Sequence, residues 1–298
     1  MIIAVTGITG HTGRFFLKEL EEHKFEGTVR CLVRKTSDTK LLDDSSLNIE
    51  KIVGLNTEYE TLLQLTQGAD VIMHIYNIHS SVNMLKAAIE NDVPRVVMVH
   101  TTGVYSKYKM ASEEYKVIEK EIDALLKTSE IDLTILRPTM IFGDMCDHNI
   151  SKFISMVDKL PFMPEISHGR GRIRPVNARD LGKAYYTVCM MNNLPQVYYD
   201  LSGERSLSLH ELFDLTGKFL GKKTHHISCP MPLAKTGAVF LKSLSLGKVN
   251  LVERVLRMGE NRDYEHLQAA NDFGYRPESF DAGLKREVDE YMRLRGRS

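Results

Sequence analysis

The chain has 298 residues, with 39 basic and 39 acidic side chains and zero net charge. That length can bury one large α/β domain with an added lobe, and balanced charge leaves no global field to recruit nucleic acid or an anionic membrane. No apolar run approaches the ~20 residues of a membrane span. The four cysteines, Cys31, Cys146, Cys189 and Cys229, form no Cys-x-x-Cys pair, and strand residues begin at position 2 with no room for a signal peptide, so a reducing, cytoplasmic setting is expected.

The first predicted element is a strand, Ile2-Ile3-Ala4-Val5. Gly7-Ile8-Thr9-Gly10-His11-Thr12-Gly13 follows, and then Phe15, Phe16, Leu17 and Leu20 fall on one helical face. Gly7 allows a tight turn, Gly10 lets the backbone approach a pyrophosphate, and Gly13 lets helix and strand pack closely. Free N–H groups at a helix start, with the helix dipole behind them, favour the negative phosphates. The turn therefore predicts a dinucleotide site at Gly7, Thr9, Gly10, His11, Thr12 and Gly13.

Apolar strand patterns recur at 29–33, 49–53, 71–75, 96–99 and 133–136, with helical patterns near 58–66, 80–91 and 112–127. This alternation predicts a doubly wound parallel sheet of the Rossmann type, with a smaller C-terminal substrate lobe. Ligands of such sheets bind beyond the carboxyl ends of the strands. Arg34 follows the second strand, with Lys35 beside it and no acid nearby. An arginine there accommodates a 2′-phosphate, so NADP is expected rather than NAD, which stays the alternative. Tyr76 and Pro138, at the ends of two further strands, complete the expected cofactor cleft. Thr101 ends the fifth strand, where a hydroxyl reaches a substrate oxygen. The histidines His74, His79, His100 and His148 show no metal spacing, so no metal is expected; His74 and His100 read as strand-end packing.

Beyond residue 140 the alternation loosens. Residues 1–140 read as the cofactor-binding domain and 141–298 as a mixed lobe that returns partly to the core. Helix patterns lie at 178–191 and 282–294, with a strand at 197–201. Ser208 is placed to cap a helix over 209–220. The apolar stretch 233–246, interrupted by Lys235 and Lys242, reads as a buried or lid helix.

Several segments resemble the extended short-chain dehydrogenase/reductase superfamily, which includes nucleoside-diphosphate-sugar epimerases and dehydratases. They are Thr101-Thr102-Gly103-Val104-Tyr105, Arg137-Pro138 with Phe142-Gly143, Arg172 to Asp180, Tyr199 to Glu204, and Asp272 to Pro277. The resemblance implies a Tyr-x-x-x-Lys pair on the helix after the fifth strand, where the lysine holds the cofactor ribose and the tyrosine moves a proton. Distance to Arg137-Pro138 puts that lysine at Lys116, but Ser112 stands four residues earlier. A literal Tyr105–Lys109 pair lies nearer the strand end, and Tyr108 and Tyr115 are further phenols. Tyr105 is the first choice of proton donor, with Thr101 and Lys116 beside it. Missing the usual tyrosine is a feature shared with atypical, NmrA-like members.

Arg170, Arg172 and Arg174 form a basic cluster, and the resemblance makes Arg172 and Arg174 candidates for a substrate diphosphate. Asp180 is expected to orient the following helix. The expected function is an NADP-binding oxidoreductase or epimerase acting on a sugar nucleotide or similar small polar compound. The alternatives are a non-catalytic redox sensor or assembly factor and a flavin or quinone reductase. A small-molecule substrate is the expected partner, with room for a homodimer.

Overall fold

The computed structural model describes residues 1–108, 110–147, 149–166, 169, 171–244 and 252–296. Six strands alternate with helices along the first half: β1 (Ile2–Thr6), β2 (Thr28–Val33), β3 (Asn48–Val53), β4 (Val71–His74), β5 (Arg95–Val99) and β6 (Asp132–Pro138). The crossovers carry α1 (Gly13–Glu22), α2 (Lys40–Asp43), α3 (Tyr59–Thr66), α4 (Ser81–Glu90) and α5 (Ser112–Leu126). All pairings are parallel, and the sheet order is β3-β2-β1-β4-β5-β6, with a seventh strand (Tyr198–Leu201) added beyond β6 from far down the chain. The sheet is thus the doubly wound arrangement that the sequence predicts.

Side chains alternate between two cores. Ile3, Val5 and Val29 face Phe16, Leu17 and Leu20 of α1, whereas Ala4, Ile72, Val96 and Met98 face Leu62 and Leu65 of α3, Met84 of α4 and Ile122 of α5. Burial on both faces explains why these strands read as continuous apolar runs.

The lobe is built from short ladders and helices. β7 (Ile141–Phe142) pairs with β10 (Val176–Asn177), β8 (Met163–Ile166) with β13 (His226–Cys229), and β9 (Arg172–Ile173) with β12 (Leu207–Ser208); the seventh sheet strand, Tyr198–Leu201, is β11. The helices are α6 (Ile150–Lys159), α7 (Ala178–Cys189), α8 (Leu209–Phe219), α9 (Met231–Leu244), α10 (Val252–Met258), α11 (Leu267–Phe273) and α12 (Phe280–Leu294). Phe142, Ile154, Leu212, Phe213, Phe280 and Leu284 form the core of this lobe.

α7 returns to the main sheet and packs on α1, so closely that a Cβ on Gly182 would lie 2.6 Å from Cβ of Phe15. Ser208 caps α8 as expected: its Oγ accepts from the N–H of Glu211, whose carboxylate accepts from the N–H of Ser208. The stretch 233–246 behaves differently from a buried helix. Leu233 and Val239 are exposed along α9, which leans on α10 instead of entering a core, and residues 245–246 lie outside the described residues. Among the described residues no helix is long and apolar enough to cross a membrane.

Candidate functional site

The glycine-rich turn takes the shape its chemistry needs. Gly7 has φ +75°, and a Cβ there would sit 2.9 Å from the backbone of Tyr76. A Cβ on Gly13 would fall 2.1 Å from the carbonyl oxygen of Gly7, so only glycine lets α1 start this close to β1. The N–H of Gly10 donates to the carbonyl of Gly7 at 3.0 Å and closes the turn. A cleft opens above it at the ends of β1 and β2, lined by Gly7, Thr9, Gly10, Arg34, Ser37 and Tyr76. Arg34 is exposed at the rim, and its guanidinium has no protein partner among the described residues. Its backbone is fixed by Ser37, whose Oγ accepts from the N–H of Arg34.

Two residues of the motif turn their side chains toward the protein. Nε2 of His11 lies 2.8 Å from the carbonyl of Gly143 and 3.0 Å from Asp144, which also pairs with Arg14. Burial raises the Asp144 carboxyl, but His11 and Arg14 outweigh it and hold the group below its usual range. The first helix is thereby tied to the Phe142–Asp144 turn of the lobe. Thr12 is buried at the start of α1. Pro138 is buried too, and its carbonyl accepts from the hydroxyl of Thr102 at 3.2 Å; it shapes the end of β6 and does not line the cleft at the ends of β1 and β2.

A second cavity, of about 300 Å³, lies at the ends of β5 and β6. Its size suits a small-molecule site. Thr101, Gly103 and Thr139 come from the sheet, Ile173 and Arg174 from the lobe, and Arg257, Arg262 and Tyr264 from α10 and the segment after it. Oγ1 of Thr101 accepts from the N–H of Gly103 at 3.0 Å, which leaves the hydroxyl proton free to donate.

Positive charge dominates this cavity. Arg174 has Asp263 at 2.8 Å and Arg257 has Glu253 at 3.7 Å, whereas no ion pair is formed by Arg262 among the described residues. Nε of Arg257 and Nε of Arg262 are buried without an acceptor. Burial, then the neighbouring Arg257, pull Arg262 down to a pKa of about 10. Cations held at such cost favour an anionic ligand.

The sequence-predicted catalytic group is not assembled here. Lys116 projects from the exposed side of α5 and pairs with Glu113 at 2.6 Å, while Ser112, Ile118, Glu119 and Ile122 turn inward. Lys116 therefore lines neither cleft. The Tyr105 phenol accepts from Nη1 of Arg137 at 2.7 Å and donates to Asp200 at 3.2 Å. Burial, then Asp200, push its pKa up to about 12, the opposite of an activated phenol. Lys109, its notional partner, lies outside the described residues, as do His148 and Arg170. Arg172 turns outward to Ser206, its Nε donating to the serine hydroxyl at 2.9 Å, so Arg174 alone of the predicted pair reaches the cavity.

The cavity also holds three residues that the motifs did not signal: Arg257, Arg262 and Tyr264. They follow a stretch without strand-helix alternation, and only the fold brings them to Thr101. His74 and His100 are buried within hydrogen-bond networks, His74 to Thr6 at 2.7 Å and His100 to Glu119 and Ser81 at 3.1 Å each. Asp180 is buried in the first turn of α7, where it accepts from the N–H of Glu278 and anchors the chain leading to α12.

A family model described as NAD(P)H-binding matches residues 7–158. A UDP-glucose 4-epimerase of Vibrio cholerae is 24% identical over 221 residues, covering 60% of this chain and 64% of that protein. This chain thus spans less than two thirds of that relative's length. Among solved structures, a dTDP-glucose 4,6-dehydratase of Streptomyces venezuelae with NAD and TYD bound superposes with a TM-score of 0.75 at 19% identity, covering 99% of this chain and 98% of that one. A UDP-glucose 4-epimerase of Thermotoga maritima with UDP-glucose gives 0.73 at 15% identity, covering 99% of each. At these identities the solved structures establish a common fold.

Proposed function

Because the chain belongs to the NAD(P)H-binding family, with the fold of the extended short-chain dehydrogenases, we propose that it is an NADP-dependent oxidoreductase or epimerase acting on a small anionic substrate of the sugar-nucleotide class. The observation that carries this reading is the cavity at the ends of β5 and β6, where Arg174, Arg257 and Arg262 surround a space beside Thr101. A diphosphate is the natural occupant, since guanidinium groups meet its oxygens in pairs.

The cofactor cleft fits a nicotinamide dinucleotide. Gly7, Gly10 and Gly13 leave room for a pyrophosphate where any Cβ would meet backbone, and the guanidinium of Arg34 is available to a 2′-phosphate. The bound cofactor supplies or accepts hydride. Thr101 would donate its hydroxyl proton to the substrate oxygen. Tyr264 lines the same cavity, and burial, then Glu260, raise its pKa, so it stays protonated and donates a second hydrogen bond. The arginines would fix the anionic end of the substrate and exclude neutral competitors.

One observation favours a second reading. With Ser112 where the family has tyrosine and Lys116 paired to Glu113, the usual proton-transfer pair is not assembled among the described residues. A non-catalytic NADP-binding sensor would need none. The deciding experiment titrates UDP-sugars and dTDP-sugars against the NADP-loaded protein and follows both binding and cofactor absorbance. Binding with a change in cofactor redox state, weakened tenfold or more in Arg262→Ala, supports the enzyme. Binding without turnover across the panel supports the sensor, and no binding beyond the cofactor cleft removes the sugar-nucleotide reading.

A further inference from the structure

Away from both clefts, three segments of the lobe bring two histidines and two carboxylates together. β8 supplies Glu165, the first turn of α8 supplies His210, and β13 supplies His226. Oε1 of Glu165 lies 2.8 Å from Nδ1 of His210 and 2.6 Å from Nδ1 of His226. The Glu165 side chain is buried, and the two imidazole rings stand 4.1 Å apart at 35°. On the far side Asp214, one turn along α8, lies 2.7 Å from Nε2 of His226 and 3.4 Å from Nε2 of His210. The hydroxyl of Thr224 donates to Asp214.

This arrangement is poorly satisfied by protons. Each ring meets a carboxylate at both nitrogens, but a neutral imidazole carries one N–H. One N–H per ring serves the carboxylate contacts of hydrogen-bond geometry, Nδ1 of His210 to Glu165 at 2.8 Å and Nε2 of His226 to Asp214 at 2.7 Å, and this leaves Nδ1 of His226 turned to the Glu165 carboxylate with a lone pair. Moreover, Nδ1 of His226 is buried and, despite its 2.6 Å approach to Glu165, is not aligned to donate a hydrogen bond. Two ring nitrogens and one carboxylate oxygen that converge, all within 4.8 Å of one another, form a ligand set for a metal ion.

We propose that Glu165, His210 and His226 bind one divalent transition-metal ion of the zinc class, with Asp214 orienting both imidazoles through their Nε2–H groups. Two imidazoles and a carboxylate suit zinc, cobalt or nickel, whereas calcium and magnesium require oxygen. Two neutral imidazoles, two carboxylates and a dication also sum to zero charge. Tetrahedral bonds near 2.0–2.1 Å place ligand atoms about 3.4 Å apart, so each imidazole nitrogen need move from Oε1 of Glu165, now at 2.8 and 2.6 Å, by less than about 1 Å. The carboxylate–imidazole–metal order matches the usual outer shell of such sites. His210 is half-exposed, so water reaches the fourth position. The ion would join β8, α8 and β13 and so anchor the strand that leads into α9 and α10, which brings Arg257 to the substrate cavity.

The test uses the full-length, tag-free protein, stripped with chelator and titrated with zinc and then with cobalt. Expected are one zinc per chain with a dissociation constant of about 1 µM or tighter, and the visible absorption of tetrahedral cobalt. Glu165→Gln and His226→Ala should each weaken zinc at least tenfold, and Asp214→Asn by about ten- to a hundredfold. Circular dichroism checks that each variant is folded. If His226→Ala does not fold, anomalous diffraction at the zinc edge on wild-type crystals decides. A peak among the three side chains upholds the site. No saturable binding, a peak elsewhere, or zinc affinity unchanged in folded Glu165→Gln overturns it.

Discussion

Arg137 grips Glu119 with two prongs, Nε to Oε1 at 2.9 Å and Nη2 to Oε2 at 2.6 Å, where the expected catalytic helix faces the sheet. Burial pushes both groups toward their neutral forms, yet the pair prevails: the Glu119 carboxyl is held below its usual range and the Arg137 guanidinium above it. His100 meets Glu119 from inside, and Arg137 stacks 3.9 Å above the Tyr198 ring while donating to Tyr105. A line of polar contacts thus runs from the core to the rim.

Breaking that pair leaves a buried charge without its counter-ion. Glu119→Leu and Arg137→Met should each cost about 3 kcal/mol or more, whereas the double variant should recover much of the loss. Urea unfolding of the four proteins measures this. Additive losses would show that the two residues act independently.

Tyr105 and Tyr264 compete for one role. Tyr105 is committed to Arg137 and Asp200, whereas Tyr264 lines the cavity beside Thr101. On a substrate that turns over, Tyr264→Phe should lower kcat by about tenfold or more, while Tyr105→Phe should leave kcat within about twofold and mainly reduce stability by ~1 kcal/mol. The reverse ranking would return the role to Tyr105.

Arg34 should set the choice of cofactor. Arg34→Ala should weaken NADPH roughly ten- to a hundredfold and leave NADH nearly unchanged. Calorimetry with both cofactors measures the ratio, and an equal loss for the two would remove Arg34 from the 2′-phosphate.

Stability should respond to pH through Asp180. Burial raises its pKa to about 6, above the unfolded value near 3.9. The folded state therefore holds the proton more tightly, a contribution fully present below pH 4 and lost as pH rises through 6. Asp180→Asn removes this term while its Oδ1 still accepts from Glu278. Its stability relative to wild type should improve by about 1–2 kcal/mol between pH 4 and pH 7. His74 slopes the other way: burial lowers it to about 4, so its contribution is present above pH 6.5 and fades as pH falls through 4. Because His74 is common to both proteins, the difference isolates Asp180, and a pH-independent difference would contradict the raised carboxyl.

The sheet was legible because two-sided burial forces long apolar runs, and the phosphate turn because its glycines answer to backbone geometry. The exposure of Lys116 was also written in the chain. Ile118, Ile122 and Leu125 set the apolar phase of α5, and at 100° per residue Lys116 points away from all three, although Ser112, one turn before it, turns inward. The family's spacing obscured that phase. Arg257, Arg262, Tyr264 and the His210–His226 pair could not be read, because their neighbours come from other segments and carry no spacing of their own.

β6 and β11 are neighbours in the sheet, yet about sixty residues separate the end of one from the start of the other. At translation rates of roughly 5–20 residues per second, a nascent chain carries β6 as an open edge for several seconds. That edge includes Leu133, Ile135 and Leu136, all buried once β11 has docked. An open apolar strand is a template for pairing with another chain. The long excursion that brings Arg174 to the cavity thus also creates an interval in which the newly made chain presents a strand edge open to pairing with another chain.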